Sequence, residues 1–136
     1  MHRAFVDTSV ILRILLNDDD LKRKASEKLL KEAKDRGVSL YLLPVAMMEI
    51  VFVLEKVYKL KRHNIQQLIT ALLNTPELSI EMEDVFGKAI KVYVEKNVKF
   101  ADAMMAFWGL EKGMETIYTY DEKDFKRIQG LVVKTP

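Results

Sequence analysis

Ala4-Phe5-Val6-Asp7-Thr8-Ser9-Val10-Ile11-Leu12 sets the reading of the whole chain. Ala4-Phe5-Val6 is a short apolar run without polar alternation and reads as a buried strand. Asp7-Thr8-Ser9 then supplies N-cap residue types before Val10-Ile11-Leu12 and Leu15-Leu16, so a helix follows at once. A strand leading straight into a capped helix is a βα unit, and the pattern recurs. Asp18-Asp19-Asp20 opens a second helix with Leu21, Ala25, Leu29 and Ala33 as its apolar positions, ended by Gly37. Val38 to Leu43 is β-like, and Pro44 starts a third helix to about Tyr58. That helix is apolar almost all round from Val45 to Leu54 and should be deeply buried.

Asn64 to Leu73 reads as a further helix, Leu78-Ser79-Ile80 as a strand, and Glu83 to Lys96 as an amphipathic helix. Asp102 to Lys112 is helical and ends at Gly113. Thr116 to Tyr120 is β-like, Asp121 to Ile128 a short helix, and Leu131-Val132-Val133 a last strand. Short apolar strands alternating with helices predict an α/β fold with a parallel sheet covered on both faces. No linker, repeat or low-complexity segment interrupts the pattern, so residues 1–136 read as one domain.

Composition narrows the function. The 136 residues suffice for one core, and 49% apolar with 31% charged residues is globular rather than disordered. There is no cysteine and only two histidines, His2 and His63, which rules against disulfides, thiolate chemistry and structural zinc. The start does not resemble a signal peptide, and no apolar stretch is long enough to span a bilayer. A soluble, cytoplasmic protein is expected. The formal charge of +2 is nearly balanced. Were four carboxylates to bind cations in one place, the remaining surface would be distinctly basic and would suit a polyanion.

Four carboxylates stand where such a site would form. Ligands of an open parallel sheet sit beyond the carboxyl ends of its strands. Asp7 follows the first strand, Asp121 follows the Thr116–Tyr120 strand, and Asp102 opens the helix leading into that strand. Each could simply cap a helix. Thr8 and Ser9 could cap the first helix themselves, however, so capping does not require Asp7. Glu49 is no cap at all. Its neighbours one helical turn away are Val45, Ala46, Phe52 and Val53, a costly setting for a carboxylate without a partner. Lys56 is the structural candidate for that partner and a metal the functional one. Converging carboxylates repel, and a divalent cation relieves the repulsion. Oxygen-only ligands select Mg²⁺ or Mn²⁺, ions that activate water and stabilise the leaving oxygen in phosphodiester hydrolysis.

Phe5-Val6-Asp7-Thr8-Ser9-Val10, Glu49 within Pro44–Ile50, Asp102-Ala103-Met104-Met105-Ala106 and Thr119-Tyr120-Asp121-Glu122-Lys123-Asp124-Phe125 together resemble the motifs of PIN domains, in order and over nearly the whole chain. The branch they most resemble is the VapC-like toxins of prokaryotic toxin–antitoxin pairs. The resemblance implies a three-layer α/β/α sandwich around a parallel sheet. It implies Mg²⁺- or Mn²⁺-dependent endoribonuclease activity on RNA, a homodimer, and inhibition by a small antitoxin. It gives Asp7, Glu49, Asp102 and Asp121 the acidic roles at the metal, with Thr8, Ser9 and Asp124 as supporting residues. It names no RNA-binding residue. Arg13, Lys22-Arg23-Lys24 and Lys59-Lys61-Arg62 are the basic candidates for that role, set against the ordinary reading of solvated faces. Tyr118, Tyr120 and Trp108 could stack bases, but their apolar elements predict core burial.

Other classes fit less well. Haloacid-dehalogenase-like phosphatases resemble Asp-x-Asp after the first strand, where this chain has Ser9. A receiver domain would need an aspartate after a middle strand, where Pro44 stands. The five glycines form no phosphate loop. A PIN scaffold that binds RNA or protein without cutting is the alternative from a different class, and metal binding discriminates it.

Overall fold

A computed structural model describes residues 2–136. Its strands are β1 (His2–Phe5), β2 (Val38–Leu42), β3 (Leu78–Ile80), β4 (Thr116–Tyr118) and β5 (Val132–Lys134). Its helices are α1 (Thr8–Leu15), α2 (Asp20–Asp35), α3 (Pro44–Lys56), α4 (Arg62–Leu73), α5 (Glu83–Glu95), α6 (Phe100–Glu111) and α7 (Glu122–Phe125). Every strand pairing is parallel. Strands and helices alternate along the chain, as the apolar runs predict for an α/β protein. The pairing falls into two sheets, β1-β2-β3 and β4-β5, within two compact units.

The first unit comprises residues up to Leu60 and residues 68–81. β1 lies alongside β2 with Phe5 opposite Tyr41, and β2 alongside β3 with Leu40 opposite Leu78. Ile11, Leu40, Leu42, Met47, Ile50 and Leu54 form its buried centre. α2 buries Ser26, Leu30 and Ala33 and leaves Leu21 and Leu29 exposed. The expected stripe of residues four apart fails for a geometric reason. At 3.6 residues per turn it drifts by about 40° per step and winds off the core. α3 also departs from expectation, because Val45, Glu49, Phe52 and Lys56 form an exposed face on a helix read as buried all round. Apolar residue types in Val45 and Phe52 gave the sequence no sign of that face.

The second unit comprises residues 61–67 and 82–136. α5 packs on α6 through Phe86, stacked on Phe100 at 6.4 Å between ring centroids, and Tyr93, edge-on to Phe100 at 5.8 Å. Such aromatic pairs contribute roughly 0.5–1.5 kcal/mol beyond the area they bury. α6 closes in a Schellman turn: Gly113 at φ +79° donates to the Leu110 carbonyl, and Met114 N–H to the Gly109 carbonyl. A side chain at position 113 would be strained by that φ whatever the space around it. The turn sends the chain directly into β4.

Candidate active site

In the first unit, Asp7 sits two residues beyond the end of β1 and is the N-cap of α1. Its Oδ2 accepts the Ser9 N–H at 3.1 Å and the Ser9 hydroxyl at 2.6 Å. These two donors, the hydroxyl foremost, hold the exposed carboxyl below its ordinary pKa. The expectation that Thr8 or Ser9 would relieve Asp7 of capping is therefore corrected: Asp7 caps, and Ser9 orients it. Thr8 is buried. Glu49 is exposed on α3. Lys56, its expected structural partner, pairs instead with Glu55 at 3.3 Å.

In the second unit, Asp124 and Asp121 both act on Asp102. Helix α6 begins at Phe100, so Asp102 lies inside its first turn, and Lys99 occupies the cap position without a side-chain hydrogen bond. Capping does not explain Asp102. Its half-buried carboxyl is pushed above the ordinary value first by loss of solvent, then by the charges of Asp124 and Asp121, with Lys99 opposing them. Asp121 is exposed and makes no side-chain cap to α7. Its backbone N–H donates to Thr119 Oγ1 at 2.9 Å, and its Oδ2 lies 3.8 Å from the Lys99 ammonium. The expectation that Asp121 could simply cap its helix is thus corrected.

Asp124 is buried at 7% exposure, and its Oδ2 accepts the Lys99 N–H at 2.9 Å. That bond ties α7 to the start of α6 and fixes the turn bearing Asp102. Arg127 works on the same loop, donating to the carbonyls of Lys96 at 3.0 Å and Asn97 at 3.2 Å. Asp124→Ala is expected to lower stability by roughly 1–3 kcal/mol, because it strands a backbone donor at a partly buried position. Asp124→Asn keeps an acceptor and should recover most of the loss. Denaturant unfolding of both variants checks this; equal losses would mean that the charge, not the acceptor, matters.

Lys99 is the residue beside these acids that the sequence does not single out. It carries a countercharge to Asp121 and donates its backbone N–H to Asp124, yet Lys96-Asn97-Val98-Lys99 has no feature that marks one lysine above the other. Tyr118, Tyr120 and Trp108 are exposed, against the expected core burial, with Tyr120 at 85%. Their residue types are equally at home in a core and on a surface. Arg62, expected among the basic candidates, is committed to the carbonyls of Tyr93 and Val98, each at 2.8 Å.

The donor chemistry suits a hard cation. Asp102, Asp121 and Asp124 offer only oxygen, and Asp102, raised first by burial, also feels the charges of the other two. Among the described residues, no three His, Asp or Glu side chains are gathered closely enough to hold an ion as they stand.

Comparison with known proteins agrees with the sequence motifs. A "VapC ribonuclease" of Aquifex aeolicus (strain VF5) is 24% identical over 123 residues, which cover 90% of each chain. A crystal structure of VapBC2 from Rickettsia felis, bound to a DNA fragment from its promoter, is 19% identical and covers 100% of this chain and 99% of its own, with a TM-score of 0.39. The profile of the PIN domain matches residues 4–131, a span that holds every one of the acids described above, and the chain therefore belongs to the PIN domain family.

Proposed function

We propose that this protein is a metal-dependent endoribonuclease, the toxin of a VapBC-type pair, folded as one PIN domain over residues 1–136. The observation that carries the reading is the family match across residues 4–131 together with Asp102, a carboxyl raised by burial and by the charges of Asp124 and Asp121. By the family resemblance, Asp7, Glu49, Asp102 and Asp121 would hold Mg²⁺ or Mn²⁺, which would lower the pKa of water and offset the charge of the phosphodiester. Ser9 aims the Asp7 carboxylate and keeps it ionised. Asp124 and Arg127 hold the loop before α6, so that Asp102 meets its ligand with a fixed backbone. Lys99 offers Asp121 a solvent-screened countercharge at 3.8 Å. The substrate is RNA, the partner a small antitoxin, the assembly a homodimer, and the compartment the cytoplasm. No helix among the described residues is long and apolar enough to cross a membrane.

Incubation with a labelled RNA panel, with Mg²⁺, Mn²⁺ or EDTA, tests the reading. Cleavage should require metal and disappear in Asp7→Asn, which keeps the shape of the side chain and removes its charge. Cleavage that persists in EDTA would sink it. Calorimetric Mn²⁺ binding lost in Asp7→Asn, without cleavage of any RNA, would favour a nuclease with a narrow target; no Mn²⁺ binding and no cleavage would favour the non-cutting binding module.

A further inference from the structure

A cavity of about 290 Å³ opens between α1 and α2, wholly within the first unit. Ser9, Val10 and Arg13 line it from α1, and Lys22, Ala25 and Ser26 from α2. These are one-turn neighbours on each helix, so each triad forms a single face. Two of the six carry positive charge and none is acidic. Ala25 contributes only a methyl group, which leaves room between the cations.

The neighbouring charges single out Lys22. Arg23 and Lys24 both pair with Asp20, at 2.7 and 3.6 Å. Lys22 forms no ion pair among the described residues; only its backbone N–H is engaged, by Asp19. Arg13 is held by Asp18, with one terminal nitrogen 3.1 Å from each carboxylate oxygen. Its other N–H groups have no such partner among the described residues. Asp18 thus orients the guanidinium without occupying its whole fork. Ser9 commits its hydroxyl proton to Asp7. The donors left for a ligand are the Lys22 ammonium, the free side of Arg13 and the Ser26 hydroxyl. A cavity of donors without acids takes an anion of tetrahedral oxygens. Ser9 belongs both to this cavity and to the Asp7 cap, so the anion would lie beside the Asp7 carboxylate.

We propose that the α1/α2 cavity is a subsite for a backbone phosphate of single-stranded RNA, bound by Lys22 and Arg13 beside Asp7. The proposal rests on the ribonuclease reading and adds to it the residues that seat the strand. Lys22 is a binding residue, and its loss weakens RNA affinity whatever the sequence of the strand.

Fluorescence anisotropy of a fluorescein-labelled oligouridylate in EDTA, over a range of salt concentrations, tests it. Lys22→Gln should weaken binding about threefold or more and lower the salt slope by about 0.7, the value of one phosphate contact on a single strand. Lys24→Gln removes the same charge two residues away, outside the cavity, and should leave both quantities near the wild type. Equal effects of the two variants would show diffuse attraction and overturn the proposal. An unchanged Lys22→Gln, with wild-type protein that binds and cuts RNA, would overturn the subsite alone. Wild-type protein that neither binds nor cuts RNA would overturn the subsite together with the ribonuclease reading. An Asp- and Glu-rich peptide that binds the wild type but not Lys22→Gln, with RNA affinity unchanged, would give the cavity to a protein partner instead.

Discussion

Asp102→Asn is expected to cost about two orders of magnitude or more in metal-dependent RNA cleavage while raising the melting temperature of the metal-free protein. The two effects share one cause. Burial and the charges of Asp124 and Asp121 lift the Asp102 carboxyl above its ordinary pKa. Folding therefore favours its protonated form. Between the ordinary value and the raised one, the folded chain binds more protons than the unfolded chain, so stability falls as pH climbs through that window. Above the raised value the penalty is complete. Asn carries no charge to repel, so at neutral pH the variant escapes that penalty. The gain is about 4 °C for each kcal/mol relieved. A bound Mn²⁺ relieves the same repulsion in the wild type and stabilises the folded state further by mass action. Thermal melts with and without Mn²⁺ should show a metal-induced rise in the wild type that is absent from Asp102→Asn. A melting temperature lowered by the substitution and untouched by metal would make Asp102 a structural residue. On the proposed reading, this is the usual trade between function and stability, a site that weakens its own fold.

The sequence made the βα alternation legible because short apolar strands and N-cap residues are local signals. Asp7, Asp102 and Asp121 were legible for the same reason, standing at or near the ends of strands and starts of helices. What each carboxylate does with its hydrogen bonds was not. Asp7 caps α1 although Thr8 and Ser9 follow it, whereas Asp121 leaves α7 uncapped. Asp102 looked like a cap only because the start of α6 was read two residues late; the true start, at Phe100, puts it inside the first turn. Glu49 was read as buried from its apolar neighbours, yet Val45 and Phe52 share its exposed face. Residue type reports hydrophobicity but not which side of a helix meets solvent when both sides are apolar. The role of Asp124 depends on Lys99, twenty-five residues earlier in the chain, and no local pattern encodes such a partner.

Arg62 extends that lesson into the other large effect, a loss of stability. One of its terminal nitrogens donates to the carbonyls of Tyr93 and Val98, 31 and 36 residues further on. The guanidinium carbon also lies 4.2 Å from the centre of the Tyr93 ring. Together with Arg127 and Asp124, Arg62 satisfies backbone groups of the loop between α5 and α6 that no helix or strand can satisfy. Asn97, within that loop, adopts a left-handed φ of 55°, which Asn tolerates better than most residues. Arg62→Ala removes two charge-assisted hydrogen bonds and a cation–π contact. The expected cost is roughly 3 kcal/mol or more, on the order of 10 °C in melting temperature. Arg62→Lys keeps the charge but loses the planar fork and should recover only part of it. Denaturant unfolding measures the loss. Hydrogen exchange should place it at the end of α5 and the first turn of α6, where Asp102 stands. If Arg62 instead served RNA through the basic Lys59–Arg62 segment, the alanine variant would melt with the wild type and bind RNA more weakly. The geometry argues for the opposite, because a guanidinium spent on two backbone carbonyls and an aromatic face stabilises the loop that carries the acid.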